Sequence, residues 1–146
     1  MSEPRPAHPT HDPHPARPTR EARPVAAPDY VTQPWWDATR EERLLVQRCN
    51  ACAHHQHYPR AICTACGATD LGFVEASGRG TIYSHTTVHR APHPAFTPPY
   101  VVALVRLEEG PVVLTNILGE ARCDMPVRLA WEPLEDGRKL PVFTGA

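Results

Sequence analysis

Lysine is almost missing from this chain. Of its 15 basic residues only Lys139 is one, so no flexible cationic stripe exists. From Trp35 onward, 11 basic residues stand against 12 acidic ones. A body so balanced is a poor electrostatic match for phosphate backbones and argues against nucleic-acid binding. No apolar run has the length of a signal-peptide core or a membrane span, which predicts a soluble, cytoplasmic protein. A G-x-S-x-G elbow, a P-loop, a dinucleotide fingerprint and an internal repeat are all lacking, so no catalytic constellation can be named. Large apolar side chains are also scarce at the N-terminus: before Gln33 they are Val25, Tyr30 and Val31. Nine of the 18 prolines fall in the first 34 residues. Residues 1–33 are therefore expected to form a disordered, proline-rich tail that buries almost nothing.

What is present is a cysteine pattern. Cys49-Asn-Ala-Cys52 is followed ten residues later by Cys63-Thr-Ala-Cys66. Two C-x-x-C pairs with a short spacer form two tight knuckles whose four sulfurs converge on one ion. Gly67, just after the second pair, suits the positive φ such a turn needs. A reducing compartment speaks against two disulfides, and a redox C-x-x-C normally comes singly on a βαβ unit. Zinc is the expected metal, although a rubredoxin-type iron site uses the same ligands. Four thiolates close the shell, so the ion is structural. His54, His55 and His57 in the spacer read as exposed polar positions on the hairpin. The fifth cysteine, Cys123, reads as an unpaired thiol.

Pro34 to Glu42 reads as a short helix with proline near its start. Its adjacent Trp35 and Trp36 point roughly 100° apart, so one is expected in the core and the other on the surface. Leu44 to Arg48 reads as a strand entering the first knuckle. Beyond Gly78-Arg79-Gly80 the pattern is all-β: Thr81 to about Arg90, Tyr100 to Leu107, Val112 to Leu118, Val127 to Glu132 and Leu140 to Phe143. A proline-studded loop, 91–99, separates the first two, and Glu108-Glu109-Gly110-Pro111 makes a hairpin turn. Five strands without an intervening helix suggest a small closed barrel, OB-fold or SH3-like. His85 and His89 share a strand parity and read as surface residues.

The order of these strings resembles a known family. RCNACAHHQHYPRAICTACG, SGRGTIYSHTTVH, PPYVVALVRLEEGPVVLTNILG and MPVRLAWEPL are similar to the domain-of-unknown-function family of zinc-ribbon/OB-fold proteins associated with acyl-CoA metabolism. The resemblance covers Trp35 to Thr144. It departs before the fourth barrel strand, where Arg122 to Val127 replaces the family's glycine-containing pattern. It implies a mainly β fold: an N-terminal helix and rubredoxin-like zinc ribbon over 34–75, then a five-stranded OB-fold over 76–146. It also implies a non-catalytic accessory subunit of a thiolase-fold enzyme, either holding that enzyme together or helping to form its CoA-ester channel. On that reading Trp35, Trp36 and Phe96 are the candidate partner contacts, and Arg79 and Arg90 are the candidate cations for CoA phosphates. The alternative is a single-stranded nucleic-acid-binding module, with Tyr83, Tyr100 and Trp131 as stacking positions.

Overall fold

The computed structural model describes residues 22–146. One helix precedes eight strands: α1 (Gln33–Arg40), β1 (Leu45–Cys49), β2 (His55–Gln56), β3 (Leu71–Glu75), β4 (Arg79–Val88), β5 (Tyr100–Leu107), β6 (Val112–Leu118), β7 (Pro126–Pro133) and β8 (Lys139–Gly145). The first three strands form an antiparallel ribbon with β1 in the centre. The other five close into a barrel in the order β4-β5-β6-β8-β7. All five barrel strands expected from the sequence are present. β2 and β3 of the ribbon were not anticipated.

Glycines explain why the barrel begins where it does. Gly78 adopts a φ of +73°, and a Cβ there would lie 2.9 Å from that of Leu129. At Gly80 a Cβ would stand 2.6 Å from the Arg106 carbonyl, so only glycine lets β4 approach β5 at that point. Before β7, Asp124 takes a φ of +62° in the turn where Met125 N–H bonds to the Arg122 carbonyl. Aspartate tolerates this left-handed geometry, so the turn survives without the glycine the resemblance led one to expect.

The closing seam between β6 and β8 is short and parallel, pairing only Ile117 with Phe143 and Leu118 with Thr144. Two residues earlier β8 carries Pro141, whose nitrogen has no hydrogen to donate. Thr115 fills in from the other side, its hydroxyl donating to the Pro141 carbonyl at 2.8 Å.

One hydrophobic cluster runs through ribbon, helix and barrel, including Leu44, Val46, Ile82, Val105, Val113, Val127 and Phe143. Both tryptophans belong to it, at 3% and 4% exposure. This corrects the expectation that one of them faces outward. The helix is wedged between the two sheets, so both directions are covered. Trp35 turns to the ribbon and donates its Nε1–H to the Leu45 carbonyl at 3.0 Å. Trp36 lies under the Arg138 guanidinium, 4.3 Å from its ring centre.

The N-terminal segment needs a second correction. Residues 1–21 lie outside the described residues, but 22–33 do not behave as an unattached tail. Arg23 reaches Glu132 at 2.9 Å and Asn116 at 2.7 Å, and its guanidinium sits over Phe96. Val25 packs against the core, and the Ala26 carbonyl accepts from Arg138 at 2.9 Å. Just before the helix, Asp29 accepts from the Val31 N–H and from both the N–H and hydroxyl of Thr32. The Thr32 N–H and hydroxyl hold the Asp29 carboxyl below its ordinary range. Proline-rich composition hid these anchors because they depend on single polar side chains and not on apolar mass.

Deleting residues 1–29 is therefore expected to cost about 1–3 kcal/mol and to lower the melting temperature by several degrees. Arg23→Ala should reproduce part of the loss. Thermal melts of the three proteins at equal zinc content check this, and superimposable curves would refute it.

Candidate metal centre and its surroundings

The ribbon brings the four predicted cysteines together. All four sulfurs lie within 4.8 Å of one another, the one such metal-competent group among the described residues. Cys49 Sγ is 3.7 Å from Cys66 Sγ, and Cys52 Sγ is 3.7 Å from Cys63 Sγ. Zinc–sulfur bonds of about 2.3 Å in a regular tetrahedron place sulfurs roughly 3.8 Å apart. The cluster thus has the dimensions of a four-cysteine zinc site.

Each knuckle is built by local hydrogen bonds. In the first, Ala53 N–H bonds to the Cys49 carbonyl and Cys49 N–H to the His54 carbonyl, both at 2.9 Å. In the second, Gly67 N–H bonds to the Cys63 carbonyl at 2.9 Å and Cys63 N–H to that of Ala68 at 2.8 Å. Ala53 and Gly67 hold equivalent places, with φ of 61° and 75°. Gly67 was expected there; Ala53 bears the steric cost of a Cβ in the same conformation.

The electrostatics of the bare thiols show why a cation is needed. The N–H groups of Cys66 and Ala65 pull the Cys63 thiol down to about 6. At Cys52 the His54 N–H lowers the thiol, but the crowding sulfurs and partial desolvation outweigh it and push it up to about 12. Four sulfurs this close cannot all be anionic without a metal, whereas a divalent ion favours all four as thiolates.

Sequence reasoning missed the two glutamines that fasten the second knuckle to the ribbon. Gln47 and Gln56 are 4% and 5% exposed. Gln56 Nε2–H donates to Gln47 Oε1 and to the Ile62 carbonyl, while Gln56 Oε1 accepts the Thr64 N–H. Gln47 exchanges hydrogen bonds with both the N–H and the carbonyl of Arg60. The available signal was polar residues on inward-facing strand positions beside cysteines.

The spacer histidines do not ligate the cluster. His54 is exposed and bonds the Thr64 hydroxyl at 3.2 Å, and His55 is half-buried. His57 corrects the surface expectation: its ring packs 5.6 Å from that of Trp35, and Nδ1 is buried without a partner among the described residues. Desolvation lowers this imidazole to about 4.

The remaining candidates are dispersed. Phe96 is half-buried, stacked on Tyr100 at 5.5 Å and capped by Arg23. Arg79 is held by Glu108 through Nε at 2.9 Å and Nη2 at 2.7 Å, so its charge is already matched. Arg90 is exposed, with no ion pair to any described residue. His85 and His89 are exposed, as is Cys123. Of the three aromatics a nucleic-acid platform would need, Tyr83 is exposed beneath Arg106. Tyr100 is taken up by Phe96, and Trp131 packs against the core. No described helix is long and apolar enough to cross a membrane.

Both halves of this body have counterparts among known proteins. Residues 36–72 match the ChsH2 rubredoxin-like zinc ribbon domain, and 73–132 match the ChsH2 C-terminal OB-fold domain. A Thermomonospora curvata protein named "Probable enoyl-CoA hydratase alpha subunit" is 45% identical over 77% of this chain. The chain spans only 36% of that relative's length. A Pyrococcus furiosus DUF35 domain-containing scaffold protein is 35% identical over 64% of this chain and 68% of its own. The benzoylsuccinyl-CoA thiolase subunit BbsA of Geobacter metallireducens is 30% identical over 66% and 68% respectively. Among solved structures, a chain of the Ltp2-ChsH2(DUF35) aldolase superposes with a TM-score of 0.76 at 42% identity, covering 83% of this chain and 98% of that one.

Elemental analysis of the purified protein should return one zinc per chain. Cys49→Ser or Cys66→Ser should give unfolded or insoluble protein, because ligation and ribbon folding are one event. Gln56→Leu should keep the metal yet lose about 2 kcal/mol, since it leaves the Thr64 N–H and Ile62 carbonyl unpaired. A folded, metal-free wild type would contradict all three.

His57 supplies a pH test. In the folded state its imidazole stays neutral down to about 4, against an ordinary 6.5. The unfolded chain therefore binds the extra proton between those values, and stability falls as pH drops through that window. From pH 7 to 5 the loss should be about 2 kcal/mol. His57→Leu should flatten the curve; parallel denaturation profiles for the two proteins would show the ring titrates normally.

Proposed function

Because the chain belongs to the DUF35 family of zinc-ribbon and OB-fold proteins, we propose that it is a non-catalytic accessory subunit of a thiolase-fold enzyme acting on acyl-CoA esters. One observation carries this reading. A chain matched over 98% of its own length, at 42% identity, is a component of an aldolase named for two partners. The whole of that component therefore corresponds to the folded body of this protein. Relatives named as scaffold proteins and as a thiolase subunit point the same way.

The chemistry of the site agrees. A shell of four thiolates has no vacant position at which a thioester carbonyl or water could be polarised, so the ion contributes folding energy and not Lewis-acid catalysis. The chain's own task is then to hold a rigid surface against a larger enzyme. Of the two arginines proposed to meet CoA phosphates, Arg79 would first have to leave Glu108. Arg90, just beyond the end of β4 and without an ion pair to any described residue, is the better placed cation.

The purified chain should show no turnover of acyl-CoA esters, while a pull-down from its native host should recover a thiolase-fold enzyme. That enzyme's solubility or activity should fall when it is prepared alone. An enzyme equally soluble and active without this chain would end the subunit reading. Salt-sensitive binding of single-stranded DNA or RNA by the pure chain would replace it with the nucleic-acid one.

A further inference from the structure

Strands β5 and β6 carry apolar side chains on both faces, interrupted outside only by Arg106 and Asn116. Ala103, Val105, Leu107, Val113 and Ile117 point inward and are buried. The alternate positions point outward, and there an antiparallel sheet facing water would normally be polar. β4 obeys that rule with Ser84 and Thr86. β5 and β6 follow it only in part: Leu104 pairs with Leu114, and the polar Arg106 and Asn116 face Val112 and Val102. Leu114 is 70% exposed and Leu118 50%, more than isolated surface leucines need. Beside Leu114 this face runs into a groove of about 430 Å³ walled by Trp35, Tyr58 and Pro141.

We infer that this outer β5–β6 face is the surface that docks the enzyme partner, with Leu114 at its centre and the groove receiving one apolar side chain of that partner. The inference rests on the subunit reading above and adds to it the place of contact. Three observations select the occupant. Arg23 already touches Asn116 on this face, but the residues preceding it in sequence, 1–21, contain no Leu, Ile, Val, Phe, Tyr or Trp that could cover it. A second copy is disfavoured by charge, because β5 and β6 carry Arg106 and no acidic residue. Glu108 and Glu109, in the turn between these strands, are committed to Arg79 and to the Ser77 N–H. Self-pairing would thus bring two guanidiniums into one apolar interface without a carboxylate for either. The partner that fits is a different protein whose apolar patch carries a carboxylate opposite Arg106.

The test uses the full-length chain and the purified thiolase-fold protein recovered from the native host. Leu114→Glu should weaken the complex at least about 30-fold, as expected for a central contact, and Arg106→Glu about tenfold. Ile62→Glu, at an exposed apolar position on the ribbon away from this face, should change affinity less than about threefold. Zinc content and melting temperature should match the wild type, since all three side chains are exposed. Wild-type affinity in Leu114→Glu overturns the surface assignment and leaves the subunit reading intact. A wild-type homodimer that Leu114→Glu dissociates gives the face to a second copy and overturns the assignment. Failure of the wild type to bind any such enzyme removes both.

Discussion

Four sulfurs drawn to one ion fix the end of β1, and the rest of the molecule is hung from that strand. Cys49 closes its C-terminal end. Leu45 receives the Trp35 indole through its carbonyl, and Gln47 clasps the second knuckle at Arg60. Leu44 and Val46 enter the cluster shared with the barrel. The ribbon is too small to bury a sufficient core, so the metal replaces apolar mass. What the ion holds, the helix then transmits: Trp35 is seated on the ribbon and Trp36 beneath an arginine that precedes β8.

That dependence separates the chain's chemistry from its architecture. The donor set is saturated by its own ion, and the buried glutamines nearby are occupied in holding loops. The parts facing solvent differ in character. The β4 side is dressed in Ser84, Thr86 and exposed histidines, while β5 and β6 present aliphatic rows. A molecule with an occupied interior and one unusually dry flank suits a role defined by what it is attached to.

The sequence was legible where local chemistry suffices. The knuckles were visible from spacing alone. β5 and β6 were found to the residue, because two strongly apolar runs meet at a Gly-Pro turn. β3 was not, since Leu71, Phe73 and Val74 make too short a pattern and acquire strand geometry from pairing with β1. β2, two residues long, exists through its register with Gln47 and Arg48. The positions of Trp35 and Trp36 needed knowledge of a second sheet behind the helix. The docking of Arg23 joins partners 93 and 109 residues away, a separation that no composition window senses.

The proline in β8 has a consequence for how this barrel breathes. A ladder that pairs only two residues, with a hydroxyl standing in for an amide, is the least reinforced closure in the ring. Opening there needs fewer bonds broken than opening at β4–β5 or β7–β8, whose registers run seven residues or more. In native-state hydrogen exchange, amides lining that gap should emerge by local fluctuation while those of β5 wait for global unfolding. The helix and the Arg23 segment lie across the same gap, so whatever grips the N-terminal side also sets how often the barrel parts.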